Sequence, residues 1–178
     1  MATHARAEPA FTGVNGCRCH KPEVDDWFQS GHANAISKLS PSGRTKHDRH
    51  AMEHAGLDPA KDYSTDSKCL PCHTTGYLEP GGYESAERTP NMAGVGCEMC
   101  HGPGEDYRDI HKNKDETYTR AELAAAGQRF PKTDRTVCEG CHASEKTPNF
   151  GHEKFQFEKA IREAQHWHRT YELKFKHD

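Results

Sequence analysis

The chain has 178 residues, a formal net charge of −3, 14 histidines and only 33% apolar residues. Such a length suits one domain spanning residues 1–178. The charge balance names no nucleic-acid partner, and without a run of about 18 apolar residues nothing is expected to span a bilayer.

Residues 1–16 read as an irregular arm, and their start lacks an apolar leader segment. Cys17-Arg18-Cys19-His20 follows, two cysteines with a histidine directly after them. Residues 23–39 read as a helix, because Phe28, His32, Ile36 and Leu39 recur at steps of four, four and three. His32 then lies on the apolar face, either as a packed core histidine or as a metal ligand. Pro41, Ser42 and Gly43 break the chain before a polar helix over 45–55. His47, His50 and His54 stand on one side of it, a pattern commoner on a solvated face than in a ligand set. Residues 57–63 form a turn-rich connector to Cys69-Leu70-Pro71-Cys72-His73, and residues 79–83 read as a loop or small hairpin.

A third cysteine pair, Cys97-Glu98-Met99-Cys100-His101, sits in the glycine-rich run 94–104. Residues 107–112 read as a short helical turn carrying His111, and 120–126 as a brief helix ended by Gly127. Cys138-Glu139-Gly140-Cys141-His142 is the fourth pair, followed by the loop Thr147-Pro148-Asn149-Phe150. A long helix over 153–171 then carries Phe157, Ile161, Ala164, His168 and Tyr171 on one apolar stripe. His168 is on that stripe and His166 is not.

All 8 cysteines therefore fall into pairs, each followed at once by histidine. A CxxCH run reads as covalent c-type haem attachment: each sulfur adds to a vinyl group and the histidine lies under the same porphyrin as an iron ligand. Chance would place such a run about 0.03 times in a chain of this composition, and three full ones are present beside the shortened first. Zinc ribbons and disulfides would not need a histidine after every pair. The glycines flanking the third motif would let backbone approach a flat macrocycle. With so little apolar side chain, four haems are expected to form the core of a mainly α, small single-domain multihaem cytochrome with long irregular loops. Because covalent haem attachment takes place outside the cytoplasm, the protein is expected to be periplasmic, its leader removed or replaced.

Over most of its length the chain resembles the tetrahaem cytochrome c-554 family, electron carriers that serve hydroxylamine oxidoreductase. The likeness is closest in Leu57-Asp-Pro-Ala-Lys-Asp-Tyr63, in Gly81-Gly-Tyr83, in Gly94 through Gly104, and in the Lys-Phe-Lys-His tail ending at His177. The resemblance implies His20 and His111 as ligands of the first haem, His101 and His168 of the third, and His142 and His32 of the fourth. It leaves His73 alone on the second, with an open sixth position. The segment bearing Thr147 and Phe150 is similar to the family's lining of that open side, while His50, His54 and His152 are alternative sixth ligands.

Two classes of function follow. The first is a periplasmic electron carrier taking electrons from a hydroxylamine-oxidoreductase-like donor to a downstream acceptor, since two imidazoles per iron leave no site for chemistry. The second is an enzyme acting on nitric oxide or hydroxylamine at an open haem, with a haem-based sensor or storage protein as a weaker third.

Overall fold

The computed structural model describes residues 8–112, 118–143 and 155–163. Its helices are α1 (Lys21–Phe28), α2 (Lys46–His54), α3 (Leu70–His73), α4 (Cys97–His101), α5 (Tyr107–Lys112), α6 (Arg120–Ala125), α7 (Thr136–His142) and α8 (Phe157–Glu163). Tight 3₁₀ turns occupy Val14–Cys17, Ile36–Leu39, Pro41–Gly43 and Pro90–Met92. Among the described residues, extended pairing is limited to one antiparallel bridge between Thr74 and Ala93. The class is mainly α with long irregular connections.

Helices this short are marginal alone and depend on caps and packing. In α2 the Thr45 hydroxyl accepts the Asp48 N–H at 3.1 Å while the Asp48 carboxylate accepts the Thr45 N–H at 2.7 Å. Thr119 and Glu122 make the same reciprocal box at the start of α6, and Gly127, at φ +94°, follows its end. These boxes explain why the helices expected over 45–55 and 120–126 form close to those bounds.

The helix expected over 23–39 does not run through. It stops at Phe28, where the Gln29 and Ser30 amides fold back onto Asp26 and Trp27, and the Ser30 hydroxyl accepts the Ala33 N–H at 3.2 Å. Gly31 sits at the break, and a separate 3₁₀ turn resumes at Ile36. Phe28 is consequently 57% exposed. Trp27 anchors α1 instead, donating its indole N–H to the Val95 carbonyl at 2.8 Å.

Phe11, Leu39, Met52, Tyr63, Leu70, Tyr83 and Met92 form a buried cluster beneath α2 and α3, and Tyr107, Leu123 and Ala126 form a smaller one between α5 and α6. Phe11 belongs to the N-terminal arm, so residues 8–13 pack rather than trail. Buried Arg44 ties the connector to this cluster by donating to the carbonyls of Lys38, Leu39, Pro59 and Lys61. Four carbonyls around one guanidinium satisfy a cation that would otherwise be costly to bury.

Residues 79–83 make a tight turn, with Tyr83 N–H donating to Thr75 at 2.8 Å, rather than a hairpin of regular strands. The last helix starts at Phe157; Phe155 and Gln156 precede it in irregular backbone, so the expected start at 153 is too early. Residues 164–171, with His168, lie outside the described residues, as do Thr147, Phe150 and His152.

Candidate haem-attachment sites

Each full CxxCH motif closes a short helix at its histidine: α3 ends at His73, α4 at His101 and α7 at His142. The shortened motif spans a turn and a helix start, with Cys17 ending a 3₁₀ turn and His20 capping α1. One helical turn between the cysteines of a full motif puts both sulfurs on one side. The missing residue in Cys17-Arg18-Cys19 removes that regularity.

The third motif is central. Its helix α4 packs against both the Val14–Cys17 turn and α7. Cys17 and Cys97 lie close enough to perturb each other: their contact pushes Cys17 well up and lowers Cys97. Burial, with the Cys138 and Cys97 thiols nearby, pushes Cys100 up to about 11. None of the eight cysteines is joined to another in a disulfide. A cleft of about 300 Å³ joins the second and fourth motifs, lined by Pro71, Cys72, Met99, Val137, Gly140 and Cys141 among others. The four cysteine-pair motifs are thus neighbours in space although up to 124 residues apart in sequence.

The histidines are brought together in pairs. His20 and His111 face each other with ring centres 6.1 Å apart, and His32 and His142 with centres 6.0 Å apart. Nδ1 of His73 meets the Ala35 carbonyl at 2.7 Å, and Nδ1 of His111 meets the Tyr107 carbonyl at 2.9 Å. A carbonyl accepts only from an N–H, so each bond puts the hydrogen on Nδ1 and leaves Nε2 as the donor atom for a metal. Burial lowers the pKa of His32, His111 and His142, with His142 adding to the effect on His32. The neutral imidazole favoured in this way is the form that binds iron. His32 and His142 keep open edges, and His142 stacks on Phe155 at 4.8 Å. His32 reaches its place from a turn, not from the helix face its spacing suggested. Its carbonyl accepts the Val95 N–H at 2.9 Å, which holds that turn against the third motif.

Glu98, the first spacer of the third motif, is the residue the sequence reading missed. It is 2% exposed, and its carboxylate accepts the Thr12 N–H, the Thr12 hydroxyl, the Gly13 N–H and the Gly104 N–H at 2.6–3.1 Å. Those donors fasten the N-terminal arm, and with it the first motif, to the third. The glycines around the motif also lie close against protein. A Cβ at Gly94 would meet the Ala33 carbonyl at 2.4 Å, and one at Gly102 the Gly127 carbonyl at 2.1 Å, both at positive φ. Among the described residues no group of three or more His, Cys, Asp and Glu converges as a zinc centre would require.

Cysteine-pair motifs on short helices, with paired histidines between them, define a multihaem c-type cytochrome. Haem c is its cofactor and electron transfer its activity. A family model described as cytochrome c554 and c-prime matches residues 16–102. Cytochrome c-554 of Nitrosomonas europaea is 33% identical over 190 aligned positions, covering 94% of this chain and 78% of the relative. The structure of cytochrome c554 from the same organism in its reduced state superposes with a TM-score of 0.73 at 33% identity, covering 89% of this chain and 84% of that one. The chain belongs to the cytochrome c-554 family. No described helix is long and apolar enough to cross a membrane.

Proposed function

We propose that the protein is a periplasmic electron carrier holding four haem c groups, attached at Cys17 and Cys19, Cys69 and Cys72, Cys97 and Cys100, and Cys138 and Cys141. In this reading His20 with His111 serves the first haem, His101 with His168 the third, His142 with His32 the fourth, and His73 alone the second. Ring spacing carries it. Two imidazoles holding one metal from opposite sides, with bonds of about 2 Å and about 1.1 Å from ring nitrogen to ring centre, would stand about 6 Å apart, and the two pairs stand at 6.1 and 6.0 Å. Rings packed only on each other have no reason to keep that separation twice.

A second observation supports the fit. Arg108 Nε is buried without a hydrogen-bond partner, and its guanidinium lies beside the first motif, where a Cβ on Gly16 would meet Nη1 at 2.6 Å. A haem carboxylate would supply the acceptor that this donor lacks. When bound, the haems supply a one-electron Fe(III)/Fe(II) couple at each iron. The chain's part is to hold His73 and His111 by their Nδ1 hydrogens, keep the imidazoles neutral and, where two imidazoles meet one iron, leave no coordination position for a substrate.

The mass of the denatured holoprotein tests the count: apoprotein plus four haems is expected, and plus three would remove the shortened motif. Replacing His111 or His32 with Ala is expected to convert one low-spin iron to high spin in the magnetic-resonance spectrum. Retention of every low-spin signal would overturn the pairing. Family resemblance supports a hydroxylamine-oxidoreductase-like donor, although the net charge of −3 calls for a docking surface other than a basic one. Reduction by such an enzyme no faster than by an unrelated donor would remove it.

Family likeness supports a second reading, small-molecule chemistry at the second haem, because it leaves His73 as that haem's one protein ligand. An open position there, flanked by Thr147 and Phe150, would admit nitric oxide and allow a secondary reductase activity. Cyanide or nitric oxide added to the reduced protein is expected to shift one haem spectrum. No shift, together with wholly low-spin resting iron, refutes it.

A further inference from the structure

Helix α2 carries a histidine pair that the haem arrangement does not use. His50 and His54 are four residues apart, so one helical turn stacks them on the same face. Both are exposed, while Ala51 and Met52 on the other side of α2 are buried. Their Nε2 atoms face each other at 3.2 Å, with the rings close to perpendicular at 88°. The Glu53 carboxylate lies 4.0 Å from His50 Nδ1, within ion-pair reach, and favours the hydrogen at Nδ1 and the lone pair at Nε2. Two ring nitrogens meeting in this way need an electrophile between them, either a shared proton or a metal ion.

The spacing fits a metal. Two bonds of about 2.0–2.1 Å from one ion, opened to about 100–110°, span about 3.1–3.4 Å. We propose that His50 and His54 form a surface chelate for a borderline divalent transition metal, Ni(II), Cu(II) or Zn(II), with solvent completing the coordination. Imidazole nitrogen is the ligand these ions share. Because no third His, Cys, Asp or Glu converges there among the described residues, the site is exchangeable rather than structural.

Calorimetric titration of the oxidised, haem-loaded protein with Ni(II) and, separately, Zn(II) near neutral pH tests the proposal. One saturable equivalent is expected for each, and Cu(II) should bind more tightly than either. His50→Ala and His54→Ala should each weaken binding by at least about tenfold, with haem spectrum and helix content unchanged, while His47→Ala should bind like the parent. A double variant, His54→Ala with Ala55→His, keeps the histidine count but turns the second ring about 100° around the helix, and should lose the site. Absence of a saturable equivalent would show that the pair shares a proton only. Binding that survives His50→Ala, His54→Ala or the double variant would place it on other histidines; either result overturns the proposal.

Discussion

Glu98 and Glu139 hold the same place in two CxxCH motifs, directly after the first cysteine, and they have opposite surroundings. Glu98 is 2% exposed and gathers the amides of Thr12, Gly13 and Gly104 with the Thr12 hydroxyl. Glu139 keeps 39% of its side chain in solvent and meets only Arg135, one helical turn away, at 2.8 Å in the contacts described. The motif sets the local helix and the direction of the spacer side chain. Whether that side chain becomes a fastening depends on what the rest of the chain brings to it, and among the described residues the third motif is the one with an arm delivered to its spacer.

The comparison breaks most directly at Glu98. Glu98→Gln changes one oxygen to an NH2, and in either amide orientation that group confronts a backbone N–H. With a buried donor left unpaired and a charged acceptor lost, destabilisation of about 2–4 kcal/mol is expected, measured as a lower urea midpoint of the haem-loaded protein. A shift no larger than that of Glu139→Gln would show that the fastening carries no energy. Gly104→Ala attacks the same carboxylate from its partner. The new Cβ would lie 2.7 Å from Glu98 Oε1, and moving the carboxylate aside is expected to cost about 1–3 kcal/mol. In a Glu98→Gln background the two losses should fall short of their sum, because both act on one contact.

This contrast also marks what was readable in advance. The attachment motifs were plain because the chemistry demands fixed local spacing, and α2, α5 and α6 were readable because caps and periodicity are local too. Residues 23–39 misled because Phe28, His32 and Ile36 keep helical spacing across Gly31, where the chain turns and the Ser30 hydroxyl takes over a backbone donor. Glu98 looked like a spacer, since its donors on Thr12 and Gly13 are about 85 residues away in sequence and nothing local announces them. The glycines of 94–104 signalled close approach correctly, but the sequence could not say that carbonyls of Ala33 and Gly127 make it. Family likeness, not spacing, suggested His20 with His111 as one haem's ligands, and the fold sets the two rings 6.1 Å apart.

Asp48 lies between the two glutamates and extends the comparison to pH. Burial pushes its carboxyl up, but hydrogen bonds from Lys38 and Thr45 outweigh this and hold it down at about 2. Its folded pKa is therefore below the unfolded value of about 3.9. Its contribution is complete above about pH 4 and is lost as pH falls toward 2. With 27% of the side chain in solvent, screening leaves about 1 kcal/mol. Asp48→Asn should lower the urea midpoint at pH 6 and converge with the parent near pH 2. A constant difference across that range would show that the cap acts without its charge.

Glu139→Ala gives the smallest effect and the sharpest form of the contrast. Its pair with Arg135 is an i,i+4 contact, half in water, in which Coulomb attraction is screened and two long side chains lose freedom to hold one geometry. Alanine is also the better helix former, which offsets part of the lost pair in α7. The expected change is within about 0.5 kcal/mol of the parent, and what little there is should vanish in high salt. Transplanting the test makes the point concrete: the same substitution at Glu98 should cost several times more and remain in high salt, because its partners are shielded backbone amides. If Glu139→Ala instead matched Glu98→Ala in size and salt resistance, the fourth motif would hold a buried fastening of its own, and the difference between the two motifs would disappear.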